Sequence, residues 1–495
     1  MNRPIRNLAI ACMAMFLALM ANATYLQYWQ ADSLNSLTEH DNNTRVKDAT
    51  FSEPRGQILV GKKAIALSKK SNDRFKYQRV YPFGAEYAHI AGYFSRSRFG
   101  GIESSQNNIL TGDAPGLFVN RVIDLLGNQA PQGGNVVLTL NAKAQKAAYE
   151  GLKALGNNTR GAVVAIEPAT GRILAMVSSP TFNPTRMANH DISISDKAYD
   201  RLLADKLIPL NNRAIEERLP PGSTFKLVTA AAALSSGKYN PDTLVPGGAS
   251  LDLPQTSKDL VNESRGSCGG NKITLTRALE VSCNVAFGAV GLKLGADALR
   301  EQAEKFGFNK RDFFTDLDDP LTSQATSEFP QDVDAPQTAL SAIGQASVTA
   351  TPLQMAMVAA GIANNGRVMT PYLVDEIRSA DLDVIKPIEP KVLTPQAITP
   401  SAASKLAEMM VAVVDNGTGR TAQIPGIKVA GKTGTAQSLP SRPPYAWFVS
   451  FAPSVNARVA VAVLIQDANV DRDAISGSGL AAPIAKSVME AVLNP

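Results

Sequence analysis

Ser223-Thr224-Phe225-Lys226 puts a hydroxyl and an amine at spacing i, i+3 directly after Pro220-Pro221-Gly222. On a helix that spacing sets both groups on one face, within reach of each other. A serine at a helix N-terminus also meets the positive end of the macrodipole and unpaired backbone N–H groups able to hold an oxyanion. The chemistry that suits such a pair is nucleophilic, with the amine relieving the serine of its proton. Alone, the pattern is equally that of an ordinary N-capping serine. Ser235-Ser236-Gly237-Lys238 repeats it, but at a helix end and with a glycine between the two groups, where it reads as a turn.

Two further patterns narrow the choice. S-x-N occurs at Ser33-Leu34-Asn35, Ser105-Gln106-Asn107, Ser282-Cys283-Asn284 and Ser454-Val455-Asn456. Of these, only Ser282-Cys283-Asn284 interrupts a helical region downstream of the candidate nucleophile; its competing reading is a simple helix cap. Lys432-Thr433-Gly434-Thr435 holds the one K-T-G of the chain. It sits in a strand pattern, where Gly434 would permit close approach of a substrate backbone. His40, His89, His190, Cys12, Cys268 and Cys283 fit no zinc-ligand spacing. His190 reads as a loop residue without an acidic partner pattern, which disfavours a Ser-His-Asp triad.

The elements that must position these groups follow from the pattern of apolar residues. The 495 residues are 44% hydrophobic and 19% charged, enough for packed cores and outside the range of disorder. The 49 basic and 44 acidic residues nearly cancel with no basic run, which argues against nucleic-acid binding. Residues 161–166 and 172–177 read as strands joined by a Pro168/Gly171 hairpin, and 141–155 as an amphipathic helix before them. The middle is alanine-rich and helical at 225–234, 275–294 and 352–363. Strand patterns return at 427–435, 446–453 and 459–465, with Trp447 as a core residue, and a last helix covers 482–493. Two early strands, a helical middle and three late strands suggest one mixed sheet drawing on both ends of the domain.

Ahead of this lie two other segments. Residues 8–26 are mostly apolar, Arg3 and Arg6 precede them, and Asp32 is the first acid, which predicts a membrane anchor with a cytoplasmic tip over 1–30. Tyr25, Tyr28 and Trp29 suit its outer boundary, and Cys12 is a small residue within the span. A cleaved signal peptide ending at Ala21-Asn22-Ala23 competes with this reading. Residues 31–135 form a polar, extended, non-catalytic pedestal, bounded by the Pro131-Gln132-Gly133-Gly134 turn, and 136–495 the catalytic domain.

The ordered set S-x-x-K, S-x-N, K-T-G resembles that of the penicillin-binding proteins and related β-lactamases, and the chain resembles class B of the former, in its short actinobacterial type. Arg55-Gly56-Gln57-Ile58, Ile343-Gly344-Gln345, Thr351-Pro352-Leu353-Gln354-Met355-Ala356 and Ala363-Asn364-Asn365-Gly366 resemble further segments of that family. Ala346 departs from it, since many relatives have glycine there. Arg55 and Gly56 read as structural. The resemblance implies an α+β fold, with a mixed sheet and an all-helical subdomain. It also implies a D,D-transpeptidase that cross-links peptidoglycan stem peptides and is acylated by β-lactams. In this scheme Ser223 attacks the penultimate D-alanine carbonyl, Lys226 takes its proton and Ser282 relays a proton to the leaving D-alanine. Asn284 holds Lys226 and a substrate amide. Lys432, Thr433, Gly434 and Thr435 line the donor-binding strand, and the N–H groups of Ser223 and Thr435 form the oxyanion hole. A lysine, with a reference pKa of about 10.4, must be shifted down for this, and burial beside Lys432 pushes that way.

No metal or organic cofactor enters the scheme. Expected partners are the cytoplasmic membrane, a SEDS-family glycosyltransferase and other division or elongation proteins. Carboxypeptidase or β-lactamase activity is the alternative, though no E-x-x-L-N lies between Ser282 and Lys432. A non-catalytic sensor or scaffold is the other, and only six residues precede the uncharged stretch that begins at Asn7, where a sensor would need an output region. Glycosyl-transfer activity, which the resemblance ties to a long N-terminal extension, is not expected. Finally, Cys268 and Cys283, the only cysteines beyond the span, are expected to form a disulfide if exported, tethering the S-x-N turn; a buried free thiol at Cys283 is the alternative.

Overall fold

The computed structural model describes residues 3–28, 30, 51–117, 132–318, 323–436, 443–471 and 474–494. Trp29, the first part of the expected pedestal (31–50) and Pro131 of the expected turn lie outside the described residues.

Runs of small and β-branched residues make the central sheet. Its strands, in spatial order, are Ala430–Ala436, Tyr445–Ala452, Val459–Asp467, Arg160–Ile166 and Ile173–Ser179. The two early and three late strands thus join as expected, through Val459–Asp467 against Arg160–Ile166. Every neighbouring pair is antiparallel, where a mixed sheet was expected. The connections are hairpins except one, and that one runs through the whole helical body, so no parallel crossover is required. Because both faces are covered, Val459–Asp467 reads as an unbroken apolar run with Val459 through Ile465 fully buried. The helices Ala142–Ala154 and Ala482–Leu493 pack together on one face. Pro352–Ala363, apolar all round and buried, packs on the sheet from the helical side.

The helical body also contains Lys226–Ser235, Leu275–Glu280, Asn284–Leu294, Ala296–Lys305 and Pro400–Asp415. Two short antiparallel ribbons are set into it: Leu244–Pro246 with Lys272–Thr274, and Ser250–Asp252 with Asp259–Val261. Each strand in them has three residues, too few for the alternation of apolar and polar side chains to register.

A second sheet of six strands underlies the N-terminal part. Asn135–Leu138 lies between Ile58–Val60, to which it is parallel, and Val374–Arg378, to which it is antiparallel. One strand pair of this sheet, Val374–Arg378 with Val384–Pro387, comes from far down the chain. Arg55 is structural, as read from its motif. Its Nε donates to Glu103 Oε2 at 2.6 Å, Arg79 Nε donates to Glu103 Oε1 at 2.6 Å, and Tyr81 adds its hydroxyl at 3.2 Å. All four side chains are buried. The described side chains of helix Arg3–Tyr28 are exposed, and Arg3–Leu26 is long and apolar enough to cross a membrane.

Removing one member of a buried ion cluster strands the charges left behind. Glu103→Gln is therefore expected to cost ~3–5 kcal/mol, read from denaturant unfolding of the full chain in detergent. A loss within experimental error of zero would contradict the structural role assigned to the Arg55-Glu103-Arg79 cluster.

Candidate active site

Ser223 lies in a single 3-10 turn, Gly222–Phe225, that runs into helix Lys226–Ser235. Three anchors fix this turn. Gly222 N–H donates to Gly344 O at 3.0 Å, and a Cβ on Gly344 would lie 2.2 Å from Gly222 O, so the glycine of the G-Q segment is a packing requirement. Trp447, fully buried as expected, donates its indole N–H to Pro220 O at 3.0 Å. The third anchor is Gly434, where a Cβ would meet Thr224 Cγ2 at 2.9 Å and Pro221 O at 3.1 Å. The close approach that Gly434 allows is thus that of the serine turn. Two positions on from Gly344, Ala346 has φ +56°, in the left-handed region that favours the glycine many relatives carry there.

The structure brings Ser223, Lys226, Ser282, Asn284 and Lys432 into one cluster. Lys226 Nζ lies 3.0 Å from Ser223 Oγ, 2.7 Å from Asn284 Oδ1, 2.7 Å from Ser282 O and 3.3 Å from Ser282 Oγ. From the edge strand of the sheet, Lys432 Nζ reaches Ser282 Oγ at 2.9 Å and Thr433 O at 2.8 Å. Both lysines are 0% exposed. Burial, and then the Lys432 charge, hold the Lys226 amine well below the usual lysine range, with Glu263 opposing. Burial takes Lys432 down to about 7, again opposed by Glu263. Ser282 has φ +60°, between helices Leu275–Glu280 and Asn284–Leu294.

A cleft of about 580 Å³ opens over this cluster, with Ser223, Glu263, Ser282, Thr433 and Thr435 on its walls. Thr433 Oγ1 is 2.6 Å from Thr418 Oγ1, and Asn284 Nδ2 donates to Val261 O at 3.1 Å. Cys268 and Cys283 are joined by a disulfide, with Cα atoms 5.9 Å apart. Ser235 lies exposed at its helix end, and Asn107 of another S-x-N accepts from Arg55. Thr418, Glu263 and Asn262 were not singled out from the sequence; they fall in no motif, and only the fold brings them to the site.

A serine turn wedged between a helical body and the edge of an antiparallel sheet, with two buried lysines around a second serine, defines the penicillin-recognising class of serine acyltransferases. Residues 161–490 match the penicillin binding protein transpeptidase domain, and residues 55–136 the penicillin binding protein A dimerisation domain. The chain belongs to the class B penicillin-binding proteins. It is 39% identical to the peptidoglycan D,D-transpeptidase PbpA of Mycolicibacterium smegmatis, over 100% of this chain and 99% of that one. Its identity to PbpA of Mycobacterium tuberculosis is 38% over the same shares. The ceftriaxone acyl-enzyme structure of penicillin-binding protein A from M. tuberculosis superposes with a TM-score of 0.84 at 37% identity, covering 90% of this chain and 100% of that one.

The disulfide closes a loop over a sequence separation of 15, for which loop entropy gives ~3 kcal/mol. Replacing both cysteines by serine should lower unfolding stability by about that amount. Under denaturing, non-reducing conditions, alkylation should modify only Cys12, the free cysteine. Modification of Cys268 and Cys283 as well would refute the bridge.

Proposed function

We propose that the protein is a peptidoglycan D,D-transpeptidase that works through an acyl-enzyme on Ser223 and is acylated there by β-lactams. The observation that carries this reading is the 3.0 Å approach of a fully buried lysine amine, Lys226 Nζ, to Ser223 Oγ. A neutral amine has one lone pair and two N–H donors. The lone pair takes the Ser223 proton, while the donors go to Asn284 Oδ1 and Ser282 O. Ser223 Oγ then attacks the carbonyl of the penultimate D-alanine, and the N–H groups of Ser223 and Thr435 stabilise the oxyanion. Collapse breaks the C–N bond to the terminal D-alanine. Ser282 gives its hydroxyl proton to the departing amine and recovers one from Lys226, which is neutral again. In the second half an amine of a neighbouring stem peptide attacks the ester carbonyl. The new C–N bond forms, the C–Oγ bond breaks, and the amine's proton returns through Lys226 to Ser223.

Burial and, after it, the Lys432 charge keep Lys226 deprotonated, and Lys432 with Thr433 and Thr435 attracts the donor's terminal carboxylate. Among the described residues the outer edge of Ala430–Ala436 has no neighbouring strand in the sheet, so an extended donor backbone can pair there. The helix Arg3–Tyr28 is a single uncleaved anchor, with Arg3 and Arg6 on the cytoplasmic side and the remainder outside. Residues 31–135 serve as the non-catalytic pedestal and 136–495 as the transpeptidase domain, with strand Asn135–Leu138 crossing that boundary and Val374–Arg378 and Val384–Pro387 completing the pedestal's sheet. The protein partner that the family resemblance brings to this reading is a SEDS-family glycosyltransferase.

Labelling with a fluorescent penicillin tests the assignment. Ser223→Ala should abolish covalent labelling in a protein that still melts cooperatively, and Ser235→Ala should label normally; unchanged labelling of Ser223→Ala would sink the assignment. A second expectation concerns pH. The second-order acylation rate reports ionisations of the free enzyme, and the Lys432 cation is present below about 7 and lost above it. The rate should therefore fall on the alkaline side with a midpoint near that value, and a rate still rising beyond it would contradict the role given to Lys432.

A further inference from the structure

Asn284 is held from outside its own helix. The N-cap of Asn284–Leu294 is Cys283, whose side chain is tied into the disulfide and makes no capping hydrogen bond. The first N–H groups of that helix would otherwise lack partners. Asn262, at the end of strand Asp259–Val261, fills the place. Its Oδ1 accepts from the N–H of Asn284 at 3.0 Å and of Val285 at 3.1 Å. Its Nδ2 donates to Gly248 O and Gly266 O, both at 2.9 Å. The amide is thereby saturated and 5% exposed. The residue before it, Val261, takes the Asn284 side chain through its carbonyl at 3.1 Å. Backbone and side chain of Asn284 are therefore both set by 261–262, and Asn284 Oδ1 is what meets Lys226 Nζ at 2.7 Å. Ser282 at φ +60° needs such external support, since a non-glycine residue in that region persists only where its surroundings over-determine it.

We propose that Asn262 is a positioning residue for acyl transfer: by capping the Asn284 helix across space, it fixes Asn284 Oδ1 on Lys226 and so aims the lysine lone pair at Ser223. The inference rests on the acyl-enzyme reading given above. Asn262 touches neither substrate nor the reacting atoms, and its effect falls on the chemical step more than on binding. A purely structural role is the competing account, in which Asn262 only folds the 262–268 loop through its two donors.

The two halves of the amide separate these accounts. Asn262→Ala removes acceptor and donors together. Asn262→Asp keeps the acceptor, in a form favoured at a helix N-terminus, and loses the donors. It also adds a negative charge near Lys226, which already faces Lys432 from the edge strand and Glu263 from the loop. With detergent-solubilised full-length protein and penicillin, the limiting acylation rate of Asn262→Ala should fall about 10- to 100-fold, the scale for a misaligned reacting pair. The half-saturating penicillin concentration should move by no more than about threefold. Asn262→Asp should recover the rate to within about fivefold of the parent at its own optimum, with the acid limb of its pH profile displaced upward because the new charge favours the lysine cation. An unchanged limiting rate in Asn262→Ala, a loss confined to the half-saturating concentration, or an aspartate variant as slow as the alanine variant would overturn the proposal. Should Asn262→Ala not fold, an aspartate variant with parental acid limb would overturn it alone. Failure of the parent protein to label at Ser223 would instead bring down the acyl-enzyme reading.

Discussion

Two amines buried around one hydroxyl set the terms for everything else in this molecule. Lys226 and Lys432 both reach Ser282, at 3.3 and 2.9 Å, without access to water. Like charges at such range, away from solvent, do not both persist, so one amine yields its proton. On the acyl-enzyme reading proposed above, that amine is Lys226, which burial and then the Lys432 charge hold well below the usual lysine range. This state exists only while both lysines stay dry and close. One comes from the helical body and the other from the sheet, so the interface between those layers is the structural condition for a base at the site.

Packing at that interface follows accordingly. Gly344 and Gly434 are spaces left for the serine turn, and Trp447 fills the core while holding Pro220 by its indole N–H. A methyl group at Gly434 would press on Thr224, one residue from the nucleophile. Shape and reactivity are therefore coupled here, whereas at the Arg55-Glu103-Arg79 cluster the charges are spent on holding the N-terminal part together.

The cluster was largely legible in the sequence because the order of three short motifs chose among degenerate copies. Four S-x-N and two S-x-x-K patterns became one of each once K-T-G and the surrounding elements were considered together. The long helices were legible through periodicity: Pro352–Ala363 and Ala482–Leu493 lie where the apolar pattern put them. What could not be read has a common physical character, namely contact between segments with no local signature. Asn262 meets Asn284 22 residues on, Thr418 meets Thr433, and Asn135–Leu138 pairs with Val374–Arg378. Strand direction was legible where a hairpin joins the strands, as at Pro168/Gly171, whereas the antiparallel join of Arg160–Ile166 to Val459–Asp467, far apart in the chain, has no local signal. Gly434 was singled out as a point of close approach, but the neighbour that the fold brings against it, Thr224, had no local signal, lying more than two hundred residues away in the chain.

The route of the chain through the central sheet has a consequence for biogenesis. Arg160–Ile166 cannot be paired on its second side until Val459–Asp467 exists, and Lys432 reaches Ser282 only from a strand that comes late in synthesis. Contacts of such span form slowly and after local helices. On the acyl-enzyme reading, a nascent chain that has emerged only as far as helix Lys226–Ser235 thus carries Ser223 in an unfinished, wet environment, without the burial and the Lys432 charge that lower the Lys226 amine in the folded structure. On that reading the arrival of the final strands is what makes Ser223 reactive, so an incompletely folded copy would consume neither substrate nor antibiotic.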